Sequence, residues 1–238
     1  VEKEIEKAYK KVETIVLKDT IRDIKKLKEA KEVHITTHSG KLEKIPSVNT
    51  SSLINKFCKA MSMNESYICS KCYANRLLML RPSLDKHLVR NSKLLSERLL
   101  KKAEIPKFNN LYVRFNSFGE LINITHLLNL IVIAKANPNT TFALWSKRYD
   151  LVADFIEQDN EFYENNDIPY NMILIYSNPK INPVDEYIPA YFDKVFSVYT
   201  KDYIKENNIK INCGGRKCFE CKNCYEFNSI YKIREVIK

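Results

Sequence analysis

Seven cysteines are the residues of this sequence best suited to chemistry, and they are not scattered. Cys58, Cys69 and Cys72 form one group and Cys213, Cys218, Cys221 and Cys224 another, with 140 cysteine-free residues between them. Charged and apolar residues alternate at the start of the chain, which is not a secretory pattern. The thiols are therefore expected in a reducing compartment, the cytoplasm, where clustered cysteines act as ligands or catalysts. Cys213-x4-Cys218-x2-Cys221-x2-Cys224 packs four thiols into twelve residues, a density that favours metal ligation. Structural zinc usually takes two separated C-x2-C knuckles. Uniform three-residue steps match instead the run with which a ferredoxin loop wraps one cubane. A 4Fe–4S cluster is expected there, with zinc as the alternative, and Gly214-Gly215 allows a tight turn after the first ligand.

The other group, Cys58-x10-Cys69-x2-Cys72, offers three thiols. Three protein ligands leave one coordination position open, as catalytic metal sites do. The competing reading makes Cys69 and Cys72 a redox pair and Cys58 a core thiol. Downstream, Leu111 to Glu120 reads as a strand running into a turn. The chain has four glycines where average usage predicts roughly seventeen. Gly119 is thus expected at positive φ or close to a ligand. Glu120, at the carboxyl end of a central strand, either faces a cationic group or occupies the first turn of a helix. His34 and His38 fall on one face of an expected strand, as site-lining groups or as satisfied structural histidines.

The elements that would position these residues follow from hydrophobic period. Residues 1–31 read as a helical lead, from Ile5, Ala8, Val12, Ile15, Ile24 and Leu27. A strand is expected over 33–38, a long irregular loop over 41–70, and helix over 73–102 with a break at Pro82-Ser83. Strands are then expected over 111–116, 141–145, 172–176, 194–199 and 209–211, and helices over 121–136, 149–159 and 202–207. Such alternation argues for a parallel sheet with right-handed crossovers, either doubly wound or a partial barrel. Three units result: a helical segment 1–31, a βα domain 32–208 and a cysteine-rich tail 209–238. Trp145-Ser146-Lys147 and Tyr199-Thr200-Lys201 each place a hydroxyl and a lysine at a strand's carboxyl end, as ligand contacts or as helix N-caps.

Together these motifs resemble the radical S-adenosylmethionine (radical SAM) superfamily. The resemblance implies an α/β fold: a partial (β/α)6 barrel of parallel strands, here with an N-terminal helical lead and a C-terminal cysteine-cluster tail. Cys58, Cys69 and Cys72 match its cluster ligands. Gly119 and Glu120 match the last two positions of its Gly-Gly-Glu motif, which with Ser117 would contact S-adenosylmethionine (AdoMet). The spacing differs from C-x3-C-x2-C, Tyr73 follows rather than precedes the third cysteine, and Phe118 replaces the first glycine. The tail is similar to an auxiliary cluster of the SPASM kind. More narrowly, Cys-x2-Cys-Tyr-Ala, the polar-Gly-acid turn and the terminal cysteines resemble the phage gene-product-eighty-eight family.

The implied activity is reductive cleavage of AdoMet by a phage or bacterial iron–sulfur enzyme with two 4Fe–4S clusters and an external electron donor. The alternative is a zinc-stabilised, non-catalytic nucleic-acid-binding or interaction protein. A formal charge of +10 leaves a nucleic-acid or phosphorylated substrate open, although the charges are spread along the chain. No membrane partner is expected, because no apolar run reaches the ~20 residues of a membrane helix.

Overall fold

The computed structural model describes residues 32–157 and 167–237. The helix expected over 1–31 lies outside the described residues. Seven strands lie side by side in chain order: β1 (Ile35–Thr36), β2 (Ser47–Val48), β3 (Tyr112–Phe115), β4 (Thr141–Ser146), β5 (Met172–Ile181), β6 (Lys194–Tyr199) and β7 (Lys232–Val236). β1 pairs with β2 antiparallel, and every later pairing is parallel. Sequential order means that each crossover moves in the same direction. Right-handed crossovers of that kind put their helices on one face.

Side-chain alternation separates the two faces. Val113, Phe115, Phe142, Leu144, Met172 and Leu174 enter one core with the helices α3 (Pro82–Glu97), α4 (Ile124–Lys135) and α5 (Tyr149–Glu157). Tyr112, Ala143, Trp145, Ile173 and Ile175 enter a second core, where they meet Cys224, Tyr225 and Ile233 of the tail. One face is thus covered by helices, and the cysteine tail folds over the other. The architecture is α/β, as expected, but the sheet is open, with β1 and β7 at its edges.

Three sequence expectations need correction. The strand over 33–38 shrinks to the two residues of β1. The loop over 41–70 contains β2, α1 (Lys56–Ser62) and a 3-10 turn, Ile68–Lys71. Asn55 starts α1 by accepting the N–H groups of Phe57 and Cys58 at 2.9 and 3.2 Å. Residues 209–211 form no strand. The last parallel strand is β7, whose sequence Lys-Ile-Arg-Glu-Val hides its role because only Ile233 is fully buried. Its Arg234 forms a bidentate pair with Glu186 at 2.6–3.0 Å. The break in the helical stretch falls where Pro82 predicts, between α2 (Tyr73–Leu80) and α3.

The polar segment after β2 is buried rather than looped into solvent: Asn49, Thr50, Ser51 and Ser52 are each at most 2% exposed. Burial of that kind requires partners. Asn49 Oδ1 accepts the N–H groups of Ser117 and Phe118, Ser51 Oγ donates to Asp85 at 2.5 Å, and Asn91 Nδ2 donates to the Asn49 carbonyl. This network fixes the segment that leads into the first cysteine group.

Candidate metal centre

Three short segments carry the first cysteine group. Cys58 lies on α1, Cys69 in the 3-10 turn, and Cys72 is the N-cap residue of α2. The Asn55 that caps α1 also donates through Nδ2 to the Glu120 carbonyl at 3.0 Å, tying Cys58 to the turn after β3. The segment just before the 3-10 turn is held to β5 by the Ile181 N–H, which donates to the Ser66 carbonyl at 3.1 Å. Tyr73 then anchors the start of α2, its hydroxyl donating to the Ser117 carbonyl at 2.5 Å.

All three thiols line one cavity of about 550 Å³, together with Ser117, Gly119, Glu120 and Lys147. Burial pushes the Cys58 thiol up, with the Glu120 carboxylate adding to that rise and Lys147 opposing it. Burial likewise raises Cys69, again against Lys147. Burial acts to lower Lys147, but Cys69, Glu120, Cys58 and Cys72 outweigh it and keep the ammonium charged. A lysine that shares a cavity with three thiols offsets the charge that accumulates when thiols become ligands.

Glu120 is 4% exposed. Its Oε1 accepts from Ser146 Oγ at 2.6 Å and the Leu121 N–H at 2.8 Å, and its Oε2 from the Lys147 N–H at 2.8 Å. Oε2 has that single donor and so retains a lone pair, and Glu120 lines the cavity. Gly119 has φ +78°, and a Cβ there would overlap the Thr50 hydroxyl and carbonyl. The scarce glycine is needed for positive φ and for the approach of Thr50's backbone.

The tail group meets the same cavity from the other side. Cys213, Cys218 and Cys224 line it as well, so the fold closes the long sequence gap between the groups. Cys213 is stitched to β7 by its N–H, which donates to the Arg234 carbonyl at 2.9 Å. Lys41 Nζ lies 3.2 Å from Cys213 Sγ and 2.6 Å from Glu235 Oε1. Cys218 and Cys221 share the single turn of α7 (Cys218–Cys221), ended by Lys222 in the left-handed conformation at φ +60°. Lys194, 1% exposed, donates to the Asn223 and Glu226 carbonyls at 2.8 Å and to Asn228 Oδ1 at 2.9 Å, pinning the loop that contains Cys224. The four tail thiols also surround a separate void of about 20 Å³.

Among the described residues, no three His, Cys, Asp or Glu side chains converge where one ion could be held. The thiols stand around spaces instead. The histidines stay outside the large cavity: His34 stacks on His87 at 4.4 Å, and His38 Nε2 meets Ser47 Oγ at 2.5 Å. Thr200 is the N-cap of α6 (Lys201–Glu206), accepting the Tyr203 N–H, and of the repeated motif only Trp145 and Lys147 line the cavity, with Ser146 bonded to Glu120 behind them.

Among the described residues, ten buried side-chain polar atoms lack a hydrogen-bond partner, and seven belong to residues lining the large cavity. They are Ser52, Asn75, Asn116 and Ser117, and also Arg114, Trp145 and Tyr225. Buried polar atoms in folded proteins are nearly always paired, so these seven are groups that a ligand or water in the cavity can satisfy. Of these seven, only Ser117 was expected at a site from the sequence. Arg114 and Trp145 carry a signal in alternation, since each shares a strand face with Tyr112 or Ala143 rather than with the helix-covered core.

No helix among the described residues is long and apolar enough to cross a membrane. Neither a search of curated proteins nor one of solved structures finds a match. A model of the phage protein family described as Gene product 88 matches residues 16–234, nearly the whole chain, and the protein belongs to that family.

Proposed function

We propose that this protein is an iron–sulfur enzyme of radical SAM type, built on a barrel-like curl of its open parallel sheet. Cys58, Cys69 and Cys72 would hold a 4Fe–4S cluster with one open iron, and AdoMet would bind beside it. When bound, the cluster supplies an electron to the sulfonium of AdoMet. The observation that carries the reading is the large cavity: three thiols from three separate backbone segments face about 550 Å³ crowded with unpartnered polar atoms. That volume lies in the range of small-molecule sites.

The chain's own residues supply the surroundings. Lys147 balances the negative charge of the thiolates. Glu120 offers its remaining Oε2 lone pair to an ammonium, and Ser117 Oγ is an unsatisfied group at the same wall. Tyr73 lines the same wall, its ring 5.9 Å from that of buried Phe118.

The four tail cysteines would hold a second centre, a 4Fe–4S cluster by their ferredoxin-like steps. The alternative centre there is zinc, for which four thiols are a complete ligand set. Metal analysis separates the two readings, since two cubanes require about eight irons per chain and one cubane plus zinc requires about four. The activity test is anaerobic incubation of reduced protein with AdoMet. Release of 5′-deoxyadenosine supports the enzyme; none, with iron and sulfide fully present, reduces the protein to a non-radical iron–sulfur binder.

A further inference from the structure

The unpartnered atoms of the cavity are not all of one kind. Toward the first cysteine group they include the hydroxyls of Ser52 and Ser117. Toward the tail they are Arg114 Nε, Trp145 Nε1 and the Tyr225 hydroxyl. Guanidinium and indole nitrogens only donate, so the missing partner at this end is an acceptor. The guanidinium is also held in place. Its central carbon lies 4.1 Å from the centroid of the Trp145 ring, which packs on Phe196 at 4.5 Å.

Charge points the same way. Of the cations lining the cavity, Lys41 is paired with Glu235 at 2.6 Å, Lys147 Nζ donates to Ser177 Oγ at 3.0 Å and interacts electrostatically with Glu120, and Lys71 is exposed. Arg114 lies beside the Tyr225 hydroxyl and interacts electrostatically with Tyr73, Cys224, Cys218 and His38, none of them a carboxylate. It lines the large cavity and not the four-thiol void, whose cations are Lys41, Arg216 and Lys222. Cys218 and Cys224 supply negative charge from the tail side, but Arg114 Nε still lacks an acceptor where it lines the large cavity.

We propose that Arg114, Trp145 and Tyr225 form an anion-binding subsite, and that the substrate is a small molecule presenting a carboxylate or phosphate there. The guanidinium fork suits either group in a two-pronged contact. The ligand would then lie between the two cysteine groups, with its anionic end anchored on Arg114. The assignment to substrate rests on the proposed function; the anion site does not.

Trp145 is the only tryptophan of the chain, so its fluorescence reports on the subsite directly. Full-length, metal-loaded protein is titrated with malonate, inorganic phosphate and uncharged malonamide, and binding is checked by equilibrium dialysis. A saturable response to malonate or phosphate, absent with malonamide, is expected, and the better anion identifies the class. Arg114→Gln should weaken that anion at least about tenfold, the scale of one charge-assisted contact. Tyr225→Phe should weaken it several-fold, and it covers the case in which Arg114→Gln does not fold. Equal response to malonamide, undiminished affinity in Arg114→Gln, or no binding by dialysis overturns the subsite. Repeating the titration with saturating AdoMet decides the ligand: an anion that still binds is substrate-like, whereas displacement assigns Arg114 to the AdoMet carboxylate and overturns the substrate claim. An anion response in protein that never cleaves AdoMet keeps the subsite and removes the enzyme reading.

Discussion

Glu120 Oε2 accepts the backbone N–H of Lys147 at 2.8 Å, which ties the turn after β3 to the end of β4. The Lys147 side chain also interacts electrostatically with that carboxylate and with all three thiols of the first cysteine group, while its Nζ donates to Ser177 Oγ at 3.0 Å. Burial pushes Glu120 up, while Lys147 and the Ser146, Lys147 and Leu121 donors pull it down. The acid is thus both a fastener of two strand ends and the counter-charge of the lysine.

Glu120→Gln should therefore cost stability. The amide turns an NH2 toward donors that a carboxylate oxygen satisfied, a loss of about 1–3 kcal/mol. Urea denaturation of the purified variant beside the parent measures it. An unchanged midpoint would mean that the clamp contributes nothing.

Gly119→Ala should be more damaging than a turn glycine ordinarily is. Left-handed φ costs a residue with a Cβ about 1–2 kcal/mol, and overlap with the Thr50 carbonyl adds to that. A drop of at least about 2 kcal/mol is expected by denaturation. A drop near 0.5 kcal/mol would show that Thr50 moves aside at little cost.

How much of this was legible in the chain depends on which signal carried it. β4 and β6 and the Pro82 helix break followed from apolar runs and from proline, which are local signals. β7 did not, because Arg234 and Glu235 find partners, Glu186 and Lys41, that are distant in sequence. The grouping of cysteines as three plus four was visible, but their meeting at one cavity was not, since it depends on sheet order. Asn55 was lost inside a polar stretch, although an Asn before an apolar helical turn is an N-cap pattern. Arg114 and Tyr225 read as ordinary strand and tail residues, because only the folded cavity reveals that their polar atoms lack partners.

Lys194 tests whether the protein, rather than a bound metal, shapes the tail loop. Replacing it with methionine leaves the Asn223 and Glu226 carbonyls and Asn228 Oδ1 without their shared donor. Each such buried acceptor costs about 1–3 kcal/mol. Lys194→Met should lose metal at the tail while Cys58, Cys69 and Cys72 keep theirs, as read by metal content against the parent. Full metal content would assign the loop's shape to the metal.

His126 sets an acid limit on stability. It is 1% exposed, its Nδ1 accepts the Ile122 N–H at 3.3 Å, and burial lowers its pKa to about 3. In the unfolded chain the imidazole takes a proton below about pH 6.5; in the fold it does not until about pH 3. The unfolded state binds more protons across that window, so stability is full above about pH 6.5 and falls with acid, by up to about 1.4 kcal/mol per pH unit. His126→Asn keeps an acceptor without the titration. The loss of stability between about pH 7.5 and about pH 4.5 should be smaller in the variant by about 2 kcal/mol. Equal losses would show that His126 is protonated in the fold.

The most direct test of the central claim is electron paramagnetic resonance of anaerobically purified, reduced protein, recorded with and without AdoMet. An open three-cysteine cluster predicts an iron–sulfur signal that AdoMet shifts, and whose AdoMet-responsive part disappears when Cys58, Cys69 and Cys72 are replaced with alanine. Colourless protein containing zinc, or a cluster signal that AdoMet leaves unchanged, would contradict it.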